Sequence, residues 1–264
     1  MYKLGLLGQG ISYTLSPLVH GAIFDYLGVE GTYDVFDTPP ESFSDTVKKM
    51  RETLDGFNVT KPYKEKIIPL LDEDKSGCGA VNTVAVKEGK AVGCNTDGSG
   101  FIRSFSEGWE LGGGESVLVL GAGGAAKVVA KTLKDSGFEV YVHNRTAEKS
   151  KSLVRETGAR EWRGGEAAAV VNCTSCGLKK GDNPLDSLGG ALDLKKVAYA
   201  YDLIYSPPET DFLATLKKMG ARTKNGLDML IYQAVRADEI ILGVSLTDGD
   251  YREIKRNVLR IAKA

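Results

Sequence analysis

Residues Val117 to Thr146 read VLVLGAGGAAKVVAKTLKDSGFEVYVHNRT. A short apolar run of β type, 117–120, leads into Gly121, Gly123 and Ala126 at the G-x-G-x-x-G/A spacing. A helical pattern follows over 124–135, Gly137 closes it, and a second apolar run covers 138–142. Strand, glycine turn, helix and strand within about 30 residues is the context that a dinucleotide fingerprint requires. Gly121 permits the tight turn, Gly123 lets the backbone approach a pyrophosphate, and Ala126 is small enough for close helix–strand packing. The helix start offers free N–H groups and the positive end of its dipole to phosphates. Gly121, Ala122, Gly123, Gly124 and Ala125 are therefore the expected cofactor-binding turn. The plainer alternative is a βαβ turn that uses its glycines for packing alone.

The end of this unit discriminates between dinucleotides. An NAD site places Asp or Glu about 20 residues on, at the end of the second strand, to hold the ribose 2′-OH. Here that place reads His143-Asn144-Arg145-Thr146, without a carboxylate. A guanidinium can grip a 2′-phosphate bidentately, where a carboxylate would repel it. Lys149, one helical turn further, adds charge. The cofactor expected is NADP, with Asn144, Arg145, Thr146 and Lys149 around its 2′-phosphate. The alternative leaves Arg145 on a solvated loop.

The 264 residues suggest one large or two modest domains. An apolar content of 42% and a charged content of 26% are those of a globular chain. A net charge of −1 gives no pull toward nucleic acid or membrane. The apolar run at 4–8 is too short for a signal segment, and no stretch approaches the ~18 residues of a membrane span. A cytoplasmic enzyme is the expectation. The cysteines are Cys78, Cys94, Cys173 and Cys176, and the only histidines are His20 and His143. With one CxxC and two histidines a four-ligand zinc site is hard to assemble, so no metal is expected. Little room is left for histidine acid–base chemistry.

Along the chain, 3–7 reads as a strand. Gly8-Gln9-Gly10 mimics a phosphate loop but is followed by Tyr13 where a small residue belongs. Ser16 is a candidate N-cap with Pro17 at the first helical position, and that helix ends at Gly28. A strand over 31–37 precedes Thr38-Pro39-Pro40-Glu41, a capping-box start for a helix to about Thr53. A strand over 56–60 precedes a helix from Pro62 to near Leu71. Runs at 80–86 and 91–95 alternate around Lys87-Glu88-Gly89-Lys90, a hairpin signal. A helix is compatible with 99–106, and 109–115 reads as a surface connection. Beyond the fingerprint come a helix over 147–157, buried-type strands at 167–174 and 197–204, a helix over 210–219 and a short strand at 221–224. The segment 161–166 is too short for a crossover helix. Long helices over 227–242 and 248–262 close the chain and could return to the first domain.

Four polar clusters stand at strand ends in the first part. They are Thr14-Leu15-Ser16-Pro17, Asn58-Val59-Thr60-Lys61-Pro62-Tyr63-Lys64, Val81-Asn82-Thr83 and Asn95-Thr96-Asp97-Gly98. Ligands of α/β sheets sit beyond the carboxyl ends of strands, so these clusters suggest a cradle for a small polyhydroxylated molecule. Each alone would also suit a cap or turn. Together with Gly121–Ala126, Asn144-Arg145-Thr146, Asp202-Leu203-Ile204-Tyr205 and the Gly226…Gln233 stretch, they resemble the shikimate dehydrogenase family, with its quinate/shikimate relatives, over essentially the whole chain. One departure is Thr14-Leu15-Ser16, where the family commonly has Ser-x-Ser, and the added methyl leaves quinate use open.

The resemblance implies an α/β fold of two domains: an α/β substrate domain, 1–98 completed by the C-terminal helices at 230–264, and a Rossmann-like NADP domain, 99–229. It implies that Thr14 and Ser16 hold a substrate carboxylate with Tyr205 nearby, that Thr60, Asn82, Asp97 and Gln233 hold ring hydroxyls, and that Gly226 lies on the cofactor side. Lys64 and Asp97 would form the catalytic pair. Reducing a ketone by hydride creates alkoxide character, which a protonated amine can stabilise and protonate. Read singly, Lys64 could be a solvated helix lysine and Asp97 an N-cap. The activity implied is NADP-linked interconversion of 3-dehydroshikimate and shikimate. The alternatives are quinate or dual quinate/shikimate oxidation, a methylenetetrahydrofolate dehydrogenase-like enzyme, and an NADP-sensing module. The partner expected is the small-molecule substrate, with no nucleic acid and no membrane. Apolar surface on the N-terminal helices could support a homodimer, though nothing in the sequence requires one.

Overall fold

The structure, a computed structural model, describes residues 1–12, 14–110 and 112–262. Tyr13 of the glycine-loop reading and Leu111 of the surface connection lie outside the described residues. The chain divides into two compact units, Met1–Gly100 with Ile231–Ala264, and Phe101–Leu230.

The first unit begins with β1 (Tyr2–Gly8), α1 (Ser16–Leu27), β2 (Gly31–Asp37), α2 (Phe43–Thr53) and β3 (Gly56–Val59). It continues through β4 (Glu73–Asp74), β5 (Thr83–Lys87) and β6 (Lys90–Cys94) into α3 (Asp97–Ser106). Its sheet runs β2-β1-β3-β5-β6-β4. β1 is parallel to both neighbours, whereas β5 is antiparallel to β3 and β6. Glu88 (φ 52°) and Gly89 (φ 76°) make the two-residue hairpin turn, since positive φ at both central positions suits the strand twist. Phe57, Tyr63 and Ile67 are fully buried in the core beside Leu7, Val81 and Val84.

Several sequence expectations change here. Ser16 is the first helical residue of α1, and Leu15 stands at the cap without a side-chain bond. The Ser16 N–H is instead taken by Thr14 Oγ1 at 3.2 Å. The capping box at Thr38 does not form. Pro39 is extended, a 3₁₀ turn over Pro40–Ser42 precedes α2, and the Thr38 hydroxyl donates back to Phe36 O at 3.2 Å. A residue before proline is held out of the helical region, which removes Thr38 from capping range. The helix read from Pro62 to Leu71 is a series of turns ending in a 3₁₀ turn, Ile68–Leu70. Pro69 lacks the N–H that an α-helix needs there, and its ring would crowd the preceding turn.

The second unit carries β7 (Ser116–Leu120), α4 (Gly124–Asp135), β8 (Glu139–His143), α5 (Ala147–Thr157), β9 (Arg160–Glu161), β10 (Ala169–Asn172), β11 (Tyr199–Asp202), α6 (Asp211–Lys218) and β12 (Arg222–Lys224). Its sheet, β12-β11-β10-β7-β8-β9, is parallel throughout. Along β7 the side chains alternate. Val117 and Val119 face a core built with α4, while Leu118 and Leu120 face one built with α6. Burial on both faces explains the continuous apolar runs. The strands β10 and β11 are shorter than their apolar runs, and β9 leads to β10 without a helix. Strand order reverses between β7 and β10, the position at which such sheets bind ligands.

The chain returns to the first unit within α7 (Leu227–Leu242) and ends with α8 (Asp248–Ile261). A reciprocal capping box joins Thr247 and Asp250 at the start of α8, and Tyr26 of α1 donates to Asp250 Oδ1 at 2.5 Å. Among the described residues no helix is long and apolar enough to cross a membrane.

Candidate active site and cofactor site

Lys64 follows β3 in the turn series, and Asp97 opens α3. Their side chains meet with Nζ 2.6 Å from Oδ2. The side chains are 32% and 15% exposed, so the pair is shielded yet reachable. Asn82, buried just before β5, directs its amide N–H groups at Thr96 Oγ1 (2.9 Å), Asp97 Oδ1 (3.0 Å) and Gln233 Oε1 (3.1 Å). The Asn82 side-chain Oδ1 accepts from the Thr96 N–H at 2.7 Å and from the Thr83 hydroxyl at 3.1 Å. Gln233 reaches the cluster because Gly100 has no side chain: a Cβ there would lie 2.6 Å from Gln233 N.

At the head of α1 the Thr14 hydroxyl donates to Ser16 Oγ at 3.0 Å. Thr60, half-buried after β3, gives its N–H to Leu7 O at 2.8 Å. The first unit thus brings Lys64, Asn82, Asp97 and Gln233 into one hydrogen-bonded cluster and pairs Thr14 with Ser16. Two groups near these residues have no local sequence signal. Tyr33, on β2, donates to Asn58 Oδ1 at 2.9 Å. His20 is buried with Nδ1 2.8 Å from Asp238 Oδ1, and its ring stacks on Tyr33 at 3.9 Å. Burial holds the Tyr33 phenol well above its usual range, so it stays a neutral donor.

In the second unit Gly121 has φ +112°, and a Cβ there would press on Thr174 at 3.0 Å. Gly123 is the extended N-cap of α4, which carries neither a side-chain cap bond nor an acidic first-turn residue. A Cβ at Gly123 or Gly124 would meet open space. A helix start with unspent N–H groups, open space and no carboxylate in its first turn fits a pyrophosphate. Asn144 Nδ2 donates to Thr146 O at 2.9 Å and shapes the turn after β8. Arg145, Thr146 and Lys149 are exposed around the start of α5. These residues fit a dinucleotide with a 2′-phosphate. Tyr205 is half-buried after β11. Gly226 sits so close to Leu203 that a Cβ would collide with its carbonyl group. Cys173 and Cys176 are free thiols, both pushed up by burial.

Residues 6–84 match the family described as shikimate dehydrogenase substrate binding domain, and residues 110–170 match shikimate / quinate 5-dehydrogenase. The shikimate dehydrogenase (NADP(+)) of Desulfitobacterium hafniense is 40% identical over 90% of this chain and 91% of its own. That of Thermus thermophilus is 35% identical over 99% and 100%. The crystal structure of shikimate 5-dehydrogenase from Thermus thermophilus, in complex with NADP(H) and shikimate, has a TM-score of 0.85, with 34% identity over 98% of this chain and all of that one.

Proposed function

The chain belongs to the shikimate dehydrogenase family, and we propose that it is the NADP-dependent enzyme that reversibly reduces 3-dehydroshikimate to shikimate. The observation that carries the reading is the Lys64–Asp97 pair, held by Asn82 in a cluster that also takes in Gln233. Bound NADPH supplies the hydride. Lys64 Nζ stabilises the negative charge that develops on the carbonyl oxygen and gives that oxygen a proton. Asp97 holds the amine in place and, with Asn82, Thr60 and Gln233, offers hydrogen-bond partners to the ring hydroxyls. Thr14 and Ser16 offer two hydroxyls to the carboxylate. In oxidation the proton returns to Lys64.

Gly121–Ala125 and the start of α4 carry the pyrophosphate, with Gly226 on the same side, and Arg145 with Asn144, Thr146 and Lys149 selects the 2′-phosphate. The reading as a quinate or dual-specificity enzyme draws no support from the relatives. A cytoplasmic location, where NADPH is the common reductant, goes with this function. The test is the initial rate, followed by the absorbance of the reduced nicotinamide (NADPH or NADH), with shikimate or quinate and with NADP+ or NAD+. Shikimate with NADP+ is expected to be fastest, and its failure to react would overturn the proposal.

A further inference from the structure

Asp202 ends β11 with no exposed surface. Its Oδ1 accepts from the Ile204 N–H and from Asn172 Nδ2, each at 3.0 Å. Its Oδ2 accepts from the Thr210 hydroxyl at 2.6 Å. Thr210 is the N-cap of α6. One carboxylate therefore ties together the end of β10, the turn leaving β11 and the start of α6.

The network extends to the residues assigned to the cofactor. Asn172 Oδ1 accepts from Thr174 N at 3.0 Å and from Thr174 Oγ1 at 2.7 Å, and Asn172 Nδ2 also reaches Cys176 O at 3.0 Å. The Thr174 methyl and the Cys173 backbone are the atoms packed against Gly121. On the other side Gly226 N donates to Ile204 O at 3.3 Å, and Gly226 lies against Leu203. Gly121 and Gly226 thus rest on the two segments that Asp202 fastens, beside the β7/β10 reversal of strand order.

We propose that Asp202 is a positioning residue for the cofactor: its carboxylate fixes the segments after β10 and β11 on which Gly121 and Gly226 rest. The inference rests on the NADP reading of the second unit. A buried carboxylate is a costly choice for structure alone. Burial lifts this one to about 6, against the pull of the Thr210, Ile204 and Asn172 hydrogen bonds, so its ionised form weighs against the fold at neutral pH. A neutral amide of the same shape would avoid that cost, which suggests that the charge is retained for what it holds.

The experiment compares wild type with Asp202→Asn at neutral pH, measuring the Kd of NADP+, the Kd of adenosine 2′-monophosphate and the unfolding temperature. Adenosine 2′-monophosphate keeps the 2′-phosphate assigned to Arg145 but lacks the pyrophosphate and nicotinamide. The variant is expected to bind NADP+ about tenfold more weakly and the fragment unchanged, with an unfolding temperature equal to or above wild type. A lower unfolding temperature with unchanged NADP+ affinity would make Asp202 purely structural and overturn the proposal. Equal losses for NADP+ and the fragment, or no change in either, would also overturn it. A wild type that binds neither ligand would instead overturn the NADP reading itself.

Discussion

Lys64 Nζ lies 2.6 Å from Asp97 Oδ2, across 33 residues of sequence. The second oxygen of the same carboxylate is engaged by Asn82, so the carboxylate is fixed at both oxygens and the amine has one defined place. A group placed this way loses little entropy when it meets the transition state.

The hydroxyl pair at Thr14 and Ser16 serves recognition in this scheme. Replacing both by Ala should raise KM for shikimate with a smaller effect on kcat, because a carboxylate remote from the reacting carbon is held alike before and during reaction. Each lost hydrogen bond to a charged group is worth about 1.5–3 kcal/mol. Steady-state kinetics check this, and an unchanged KM would move the carboxylate elsewhere.

Arg145 stands exposed after β8, where an NAD enzyme would have a carboxylate. Arg145→Ala should weaken NADP+ by roughly 10- to 150-fold, the value of a lost charge-assisted contact, and leave NAD+ nearly unaffected. Lys149→Ala should do less, because a flexible exposed ammonium is screened. Dissociation constants at one ionic strength decide. Equal losses for both cofactors would place Arg145 on a feature they share.

Asp250 gives a pH-dependent prediction for stability. Hydrogen bonds from Thr247 and Tyr26 hold its carboxyl down at about 2. A carboxyl with a lowered folded value stabilises the fold above its ordinary range near pH 4, and the contribution disappears as pH falls through 2. Asp250→Ala should therefore lower the urea midpoint at pH 7 and do so progressively less as the pH is taken from 4 toward 2. A difference that persists unchanged at the lowest pH would assign the effect to helix packing rather than to the ionised cap.

What could be read in the sequence was what is local. The fingerprint declares itself within about 30 residues, and the helices Gly124–Asp135, Ala147–Thr157 and Leu227–Leu242 have the bounds their patterns predict. The segment from Pro62 misled because its apolar spacing suits a helix while its second proline, Pro69, does not. Thr38 misled because a capping box needs a backbone that Pro39 forbids. The buried pairs were invisible for another reason. Asn172 and Asp202 are 30 residues apart, and His20 and Asp238 are 218 apart, so no spacing rule links them. The Lys64–Asp97 pair was legible only through family resemblance, since alone Lys64 reads as a solvated helix lysine and Asp97 as an N-cap.

The decisive measurement is kcat of Lys64→Ala at saturating shikimate and NADP+, with the Kd of NADP+ measured alongside on the folded variant. Loss of the group that moves the proton should lower kcat by about 10²-fold or more. NADP+ affinity should stay at the wild-type value, because Lys64 belongs to the other unit. Wild-type turnover in the folded variant would contradict the assignment of Lys64 and, with it, the chemistry placed on the Lys64–Asp97 pair.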